Sequence, residues 1–196
     1  MGVVLVDAGG TNIGSVRYAL QRLGVDAALT SDAAAIRAAD KVILPGVGAA
    51  GPGMARLREL GLVDLMRSLT QPVLGVCLGM QLLCEHSEEG DVDCLGVVPA
   101  KVRRLLEQPG LRVPHMGWNR LQRQRDHALL ADLGEQDWAY FVHSFAVPTG
   151  DYALATTDYG GPFAAVIARD NFHGMQFHPE RSAKVGARLL KNFLEL

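Results

Sequence analysis

Short apolar runs alternate with amphipathic stretches along the first half of the chain. Residues 3–6, 25–29, 41–44 and 73–76 are nearly all hydrophobic, whereas residues 12–23 and 54–69 repeat their apolar positions at helical spacing. Strands without a polar face must be covered on both sides, as in a parallel sheet held between two helical layers. The pattern therefore predicts an open α/β sheet. In the second half, residues 95–105, 138–145, 152–157, 163–168 and 172–177 read as consecutive strands joined by Gly, Pro and Asp turns. Antiparallel additions to the sheet are expected from them. Residues 182–196 predict a closing helix with Val185, Leu189, Phe193 and Leu196 on its apolar stripe. Residues 120–134 are polar and poorly periodic, and read as an excursion over the surface.

Length and composition narrow the possibilities. A chain of 196 residues builds one substantial core, so residues 1–196 are expected to form a single domain. Apolar residues make up 48% and charged residues 20%, which argues against a disordered or fibrous chain. The net charge is −2 and Lys and Arg are scattered, so neither nucleic acid nor a membrane surface is expected as a partner. A small neutral or zwitterionic substrate suits that balance. The N-terminus lacks the basic region of a signal peptide. The uncharged stretch at residues 42–55 is shorter than the roughly 18 residues that span a bilayer and is broken by Pro45 and several glycines. A soluble, cytoplasmic protein is expected. Cys77, Cys84 and Cys94 form no C-x-x-C pair, so neither a disulfide framework nor a zinc site is suggested, and one of them is available as a free thiol.

One segment concentrates the chemistry. Val73-Leu74-Gly75-Val76-Cys77-Leu78-Gly79-Met80-Gln81-Leu82-Leu83 reads as a buried strand running into a helix, with a cysteine at the junction. Gly75 and Gly79 bracket Cys77 at the G-x-C-x-G spacing of a nucleophile elbow, whose small neighbours permit a turn tight enough to present the side chain rather than bury it. The helix dipole there favours a thiolate. The plainer alternative is a small core hydrophobe. In Gln176-Phe177-His178-Pro179-Glu180, alternation puts His178 and Glu180 on one side of an extended chain, and Pro179 keeps His178 in the β region. A cysteine nucleophile needs a base to carry its proton and a third group to orient that base. A histidine beside a carboxylate is also a common structural pair, so this reading rests on its conjunction with the elbow.

Pro45-Gly46-Val47-Gly48 follows a strand and so lies at the carboxyl edge of the sheet, where open α/β folds bind ligands. Its backbone N–H groups, with that of Leu78, could receive a developing oxyanion; an ordinary strand-to-helix turn is the alternative. The glycines of Asp7-Ala8-Gly9-Gly10-Thr11-Asn12-Ile13-Gly14 miss the dinucleotide spacing, which argues against a nucleotide there. His86, His127 and His173 have no neighbours at metal-ligand spacing and read as surface or packing residues.

Taken in order, Pro45-Gly46-Val47-Gly48, Gly75-Val76-Cys77-Leu78-Gly79-Met80-Gln81 and Gln176-Phe177-His178-Pro179-Glu180 resemble the three signature blocks of the class I (triad) glutamine amidotransferases. That fold is flavodoxin-like, an open mixed α/β sheet with helices on both faces. Pro114-His115-Met116-Gly117-Trp118-Asn119 and Tyr140-Phe141-Val142-His143-Ser144-Phe145 are similar, within that superfamily, to the glutaminase subunits of imidazole glycerol phosphate synthases.

The resemblance implies that Cys77 attacks the side-chain amide of glutamine, His178 shuttles the proton and Glu180 orients His178. A γ-glutamyl thioester is then hydrolysed to glutamate. It further implies an oxyanion hole at Val47 and Leu78, and substrate contacts at Gly48, Gln81 and Ser144. Asn12, Trp118, Tyr140 and Arg181 would lie toward a partner, a (β/α)8-barrel cyclase subunit that takes the ammonia and forms imidazole glycerol phosphate and AICAR. Neither a cofactor nor a metal is expected. The turn at residues 45–48 is expected to rearrange before an oxyanion donor points inward, because a subunit hydrolysing glutamine on its own would waste it.

Two positions depart from the family pattern. Asp7-Ala8-Gly9-Gly10-Thr11-Asn12 stands where Asp-Tyr-Gly-x-Gly-Asn is usual, and Arg181 stands where lysine is more frequent, which alters the geometry of any ion pair. A glutaminase subunit of anthranilate or aminodeoxychorismate synthase is the nearest alternative, disfavoured by the block at residues 114–119. A non-catalytic flavodoxin-like binding module is the other, and Cys77, His178 and Glu180 argue against it.

Overall fold

The computed structural model describes residues 1–9 and 13–196. Strands and helices alternate in the first half: β1 Val3–Val6, α1 Ile13–Arg22, β2 Ala28–Thr30, α2 Ala33–Ala38, β3 Lys41–Leu44, α3 Ala50–Glu59, α4 Val63–Ser68, β4 Val73–Val76 and α5 Leu78–Leu82. The second half is mostly strand. It runs β5 Cys84–Ser87, β6 Val92–Asp93, β7 Val98–Arg104, β8 His115–Arg120, β9 Gln122–Arg123, β10 Trp138–His143, β11 Phe145–Ala146, β12 Ala153–Asp158, β13 Pro162–Arg169 and β14 Phe172–Met175, and closes with α6 Ala183–Glu195.

Eight strands form the central sheet in the order β2-β1-β3-β4-β14-β13-β12-β9. All four residues of β1, β3 and β4 are buried, as strands covered on both faces must be. Alternation divides each strand between two cores. Val3 and Leu5 pack with α1 and α6 on one face, while Val4 and Val6 pack with α2, α3 and α4 on the other. Among the described residues, no helix is long and apolar enough to cross a membrane.

The second half departs from the expected run of antiparallel additions. β12 and β13 do extend the sheet antiparallel, but β14 lies parallel to β4. The runs at 95–105 and 138–145 leave this sheet altogether: β7 pairs with β11 and β5, and β10 pairs with β8. Those strands bury alternate residues and expose the rest, a pattern suited to a ribbon with one wet face.

Residues 120–134 run over the surface as expected, with ten of the fifteen exposed, but they also anchor four leucines in the core. Leu121, Leu129, Leu130 and Leu133 are buried, although their spacing matches neither a helix nor a strand. An irregular backbone can be buried when side chains satisfy its carbonyls. Asn192 of α6 donates to Leu129 O and Ala131 O at 3.0 and 2.9 Å, and Arg123 donates to Leu130 O and Leu133 O at 3.0 and 2.7 Å. Two helices also differ from expectation. The amphipathic stretch at 54–69 begins earlier and breaks at Gly61, whose φ of 67° no continuing helix allows. In α6 the buried stripe is wider than predicted and takes in Gly186, Leu190 and Leu194, while Leu196 lies past the helix end and is exposed.

Candidate active site

Cys77 occupies the turn between β4 and α5 with φ 53° and ψ −110°, a conformation L-residues seldom adopt. Close packing of two glycines makes that turn possible. A Cβ on Gly79 would overlap the carbonyl of Leu44, at the end of β3, and one on Gly75 would come within 2.6 Å of the Gly79 backbone. The Cys77 N–H donates to Met175 O of β14 at 2.7 Å, tying the elbow to the neighbouring strand. Cys77 is 7% exposed, so the thiol is not presented at the outer surface as expected. It faces an internal cavity of about 190 Å³, bounded by Val47, Gly48, Leu78 and Gln81 on one side and by Glu89, residues 142–145 and His178 on the other. That volume falls below the roughly 300–1,000 Å³ of drug-sized sites and suits a single amino acid. A larger hollow of about 590 Å³ at Arg120, Arg123 and Glu135 contains neither thiol nor imidazole.

His178 and Glu180 meet with Nδ1 and Oε1 2.9 Å apart, both side chains nearly inaccessible to solvent. They do not meet along an extended chain. His178 is extended, as Pro179 requires, but Pro179–Arg181 is a 3-10 turn that brings Glu180 back to the imidazole. β10 clamps the histidine backbone. His178 N–H donates to Tyr140 O at 2.9 Å, while the Ser182 hydroxyl donates to His178 O at 2.7 Å and accepts from Tyr140 N–H at 2.9 Å. Burial disfavours charge on His178, but hydrogen bonds to Cys77 and Glu180 and their opposite charge outweigh it, pushing the imidazole up to about 10. His178 therefore rests as an imidazolium beside the Cys77 sulfur, with Glu180 holding the ring in place.

The ribbon of β8 and β10 sorts its residues by alternation. Met116 and Trp118, with Trp138 and Tyr140 on the facing strand, lie on one face, and three of these four are exposed; His115, Phe141 and His143 lie buried on the other. His143 Nδ1 lies 2.8 Å from Phe145 O, which can only accept, so this nitrogen carries the proton. His115 Nδ1 then donates to His143 Nε2 at 3.0 Å. Burial pushes His143 down to about 3, helped by the neighbouring His115 and His178, and pushes His115 down to about 4. His173 of β14, packed against Phe193, is likewise pushed by burial down to about 4.

These three imidazoles stay neutral in the fold but gain protons in the unfolded chain below about 6.5. Their contribution to stability is thus complete above about pH 6.5 and is lost as the pH falls toward about 4, because the unfolded state then binds more protons. Urea titrations at stepped pH should show His173→Phe flattening this acid limb by about 1.4 kcal/mol per pH unit. An unchanged slope would mean that His173 charges freely in the fold.

Of the predicted residues, Cys77, His178, Val47, Leu78, Gly48, Gln81 and Ser144 all border the one cavity, and Glu180 supports it through His178. Trp118, Tyr140 and Arg181 form a separate outward cluster. The Arg181 guanidinium lies 4.5 Å over the Tyr140 ring, which meets Trp118 edge-on with centroids 5.9 Å apart. Asn12 lies outside the described residues, as do Gly10 and Thr11 of the atypical loop at 7–12. The sequence reading assigned no role to Glu89, which reaches the cavity across the fold, to His143, or to Ser182, which joins His178 four residues away to Tyr140.

A family model described as Glutamine amidotransferase class-I matches residues 4–196. The imidazole glycerol phosphate synthase subunit HisH of Xanthomonas axonopodis pv. citri (strain 306) is 59% identical over 194 residues, covering 99% of this chain and 97% of that one. The subunit of the same name from Xylella fastidiosa (strain Temecula1 / ATCC 700964) is 58% identical with the same coverage. A solved glutamine amidotransferase structure, 22% identical, matches the fold with a TM-score of 0.77 over 100% of this chain and 98% of its own.

Proposed function

The chain belongs to the class I glutamine amidotransferases, and from that premise we propose that it is the glutaminase subunit of an imidazole glycerol phosphate synthase. The observation that carries the reading is the convergence of Cys77 and His178 on one amino-acid-sized cavity, with Glu180 bonded to His178. The names of its relatives support this assignment over anthranilate or aminodeoxychorismate synthase.

In this reading the Cys77 thiolate attacks the γ-carbonyl carbon of glutamine. Charge then develops on the carbonyl oxygen beside the backbone N–H groups of Leu78, the first residue of α5 and so without an intrahelical acceptor, and of Val47. Imidazolium His178 gives its proton to the amide nitrogen, the C–N bond breaks and ammonia leaves. Water attacks the thioester, neutral His178 takes its proton, and the C–S bond breaks to return the thiolate and glutamate. Glu89 is the carboxylate at the cavity for the substrate's α-ammonium group, and Gly48, Gln81 and Ser144 border the rest of it.

Ammonia released into water is protonated and loses its nucleophilicity, so a bound acceptor is needed. We assign that role to a (β/α)8-barrel cyclase subunit, forming imidazole glycerol phosphate and AICAR in a heterodimer. It would dock on the face carrying Met116, Trp118, Tyr140 and Arg181, to which the family resemblance adds Asn12. One domain over residues 1–196 and a cytoplasmic location belong to the same proposal.

Glutamate release is to be measured for the chain alone and with the cyclase subunit and its nucleotide ligand. Strong stimulation by the liganded partner is expected. Trp118→Ala should weaken the complex by about 2 kcal/mol, as buried aromatic anchors do. Inactivity with and without the partner would refute the assignment, and brisk hydrolysis without it would refute the rearrangement of residues 45–48.

A further inference from the structure

We propose that Gln176 holds the Cys77 sulfur as a thiolate by donating a side-chain N–H to it, which makes Gln176 a positioning residue for the nucleophile. The inference rests on the thiol chemistry proposed above.

Gln176 immediately follows β14, which runs parallel to β4 with Met175 beside Val76, so the next residue on each strand faces the other. Gln176 is completely buried, with its Nε2 3.8 Å from Cys77 Sγ, within reach of a hydrogen bond to a large sulfur atom. The two ends of an amide have nearly the same shape, so its direction must be argued from its partners. Phe145 O can only accept, and it takes Gln81 Nε2 at 2.9 Å together with His143 Nδ1 at 2.8 Å. The amino end of Gln81 therefore points that way. The same nitrogen lies 3.0 Å from the Gln176 amide, whose near end must be the oxygen. The far end is then the amino group, and it faces the sulfur.

A buried N–H without an acceptor is costly, and a thiolate is a better acceptor than a thiol. In its thiol form Cys77 has Val142 O as a weak acceptor at 3.9 Å. In its thiolate form it accepts hydrogen bonds from Gln176 and His178. A donor chain anchored at the Phe145 carbonyl thus ends at the nucleophile, in a cavity where low dielectric strengthens each link.

The test follows alkylation of Cys77 by iodoacetamide across pH in the full chain, with neither glutamine nor partner present. Removing the donor in Gln176→Met is expected to raise the pH midpoint of the reaction by about one unit, slowing it about tenfold below that midpoint while keeping the plateau at high pH. Gln176→Glu, close in shape but bearing a carboxylate, should slow it further. Cys84 and Cys94 are buried, so a folded variant shows one reactive thiol and an unfolded one three. A wild-type pH profile in either folded variant would overturn the proposal. In the unmutated chain, the Gln176 side-chain amide proton resonances should titrate together with Cys77, and indifference to that titration would overturn it too. Because alkylation requires no glutamine turnover, a chain that shows these shifts yet never hydrolyses glutamine would refute the proposed function and leave this assignment standing.

Discussion

Cys77→Ala, assayed with the cyclase subunit and saturating glutamine, is expected to release glutamate at least about 10⁴-fold more slowly than the wild type. The size of the loss follows from the geometry. Cys77 is the only thiol bordering the cavity, and the neighbouring His178 and Glu180 serve the proton of that sulfur. Without the nucleophile their placement has nothing to act on, so adding His178→Ala to Cys77→Ala should cost little more. Glu180→Gln should fall between, at about 10²- to 10⁴-fold, because the imidazole keeps its place but loses the carboxylate that holds its tautomer. Full additivity of the three substitutions would mean that they do not work as one unit.

Gly79→Ala should have the largest effect on stability, at least about 3 kcal/mol, which for a chain of this size is about 6–12 °C in Tm. The added methyl has to enter the space of the Leu44 carbonyl, which is backbone in a fully buried strand and cannot turn aside. Either β3 or α5 must move, and Cys77 immediately precedes α5. Gly51→Ala in α3 is the matching control, since nothing lies within 4 Å of its added Cβ. Helix propensity there predicts a gain of up to about 1 kcal/mol. Thermal and urea unfolding of both variants measures the contrast, and equal stabilities would mean that the elbow is not closely packed.

The central strands were legible because burial on both faces leaves a run of apolar residues that no other element explains; β1, β3 and β4 stand where the pattern put them. The elbow was legible for a steric reason, since only glycine fits at 75 and 79 when β3 and α5 approach so closely. What stayed hidden was pairing. A period of two marks residues 138–143 as a strand but does not say that the partner is β8 rather than the main sheet. The surface course of residues 120–134 was legible but its four buried leucines were not, because Asn192 and Arg123 satisfy the carbonyls there and allow burial without periodicity. Glu89, His143 and Ser182 were hidden for the same reason. Each is an ordinary polar residue until the fold brings it to the cavity wall or the histidine backbone. The triad was readable because its residue types and local spacings already carry its chemistry.

The most direct test of the account is to quench the wild-type chain during turnover of glutamine with its cyclase partner and locate the γ-glutamyl group by peptide mass spectrometry. The account predicts a glutamyl adduct on Cys77, absent in Cys77→Ala. Glutamate release with no adduct under rapid quenching, or an adduct on Cys84 or Cys94, would contradict it.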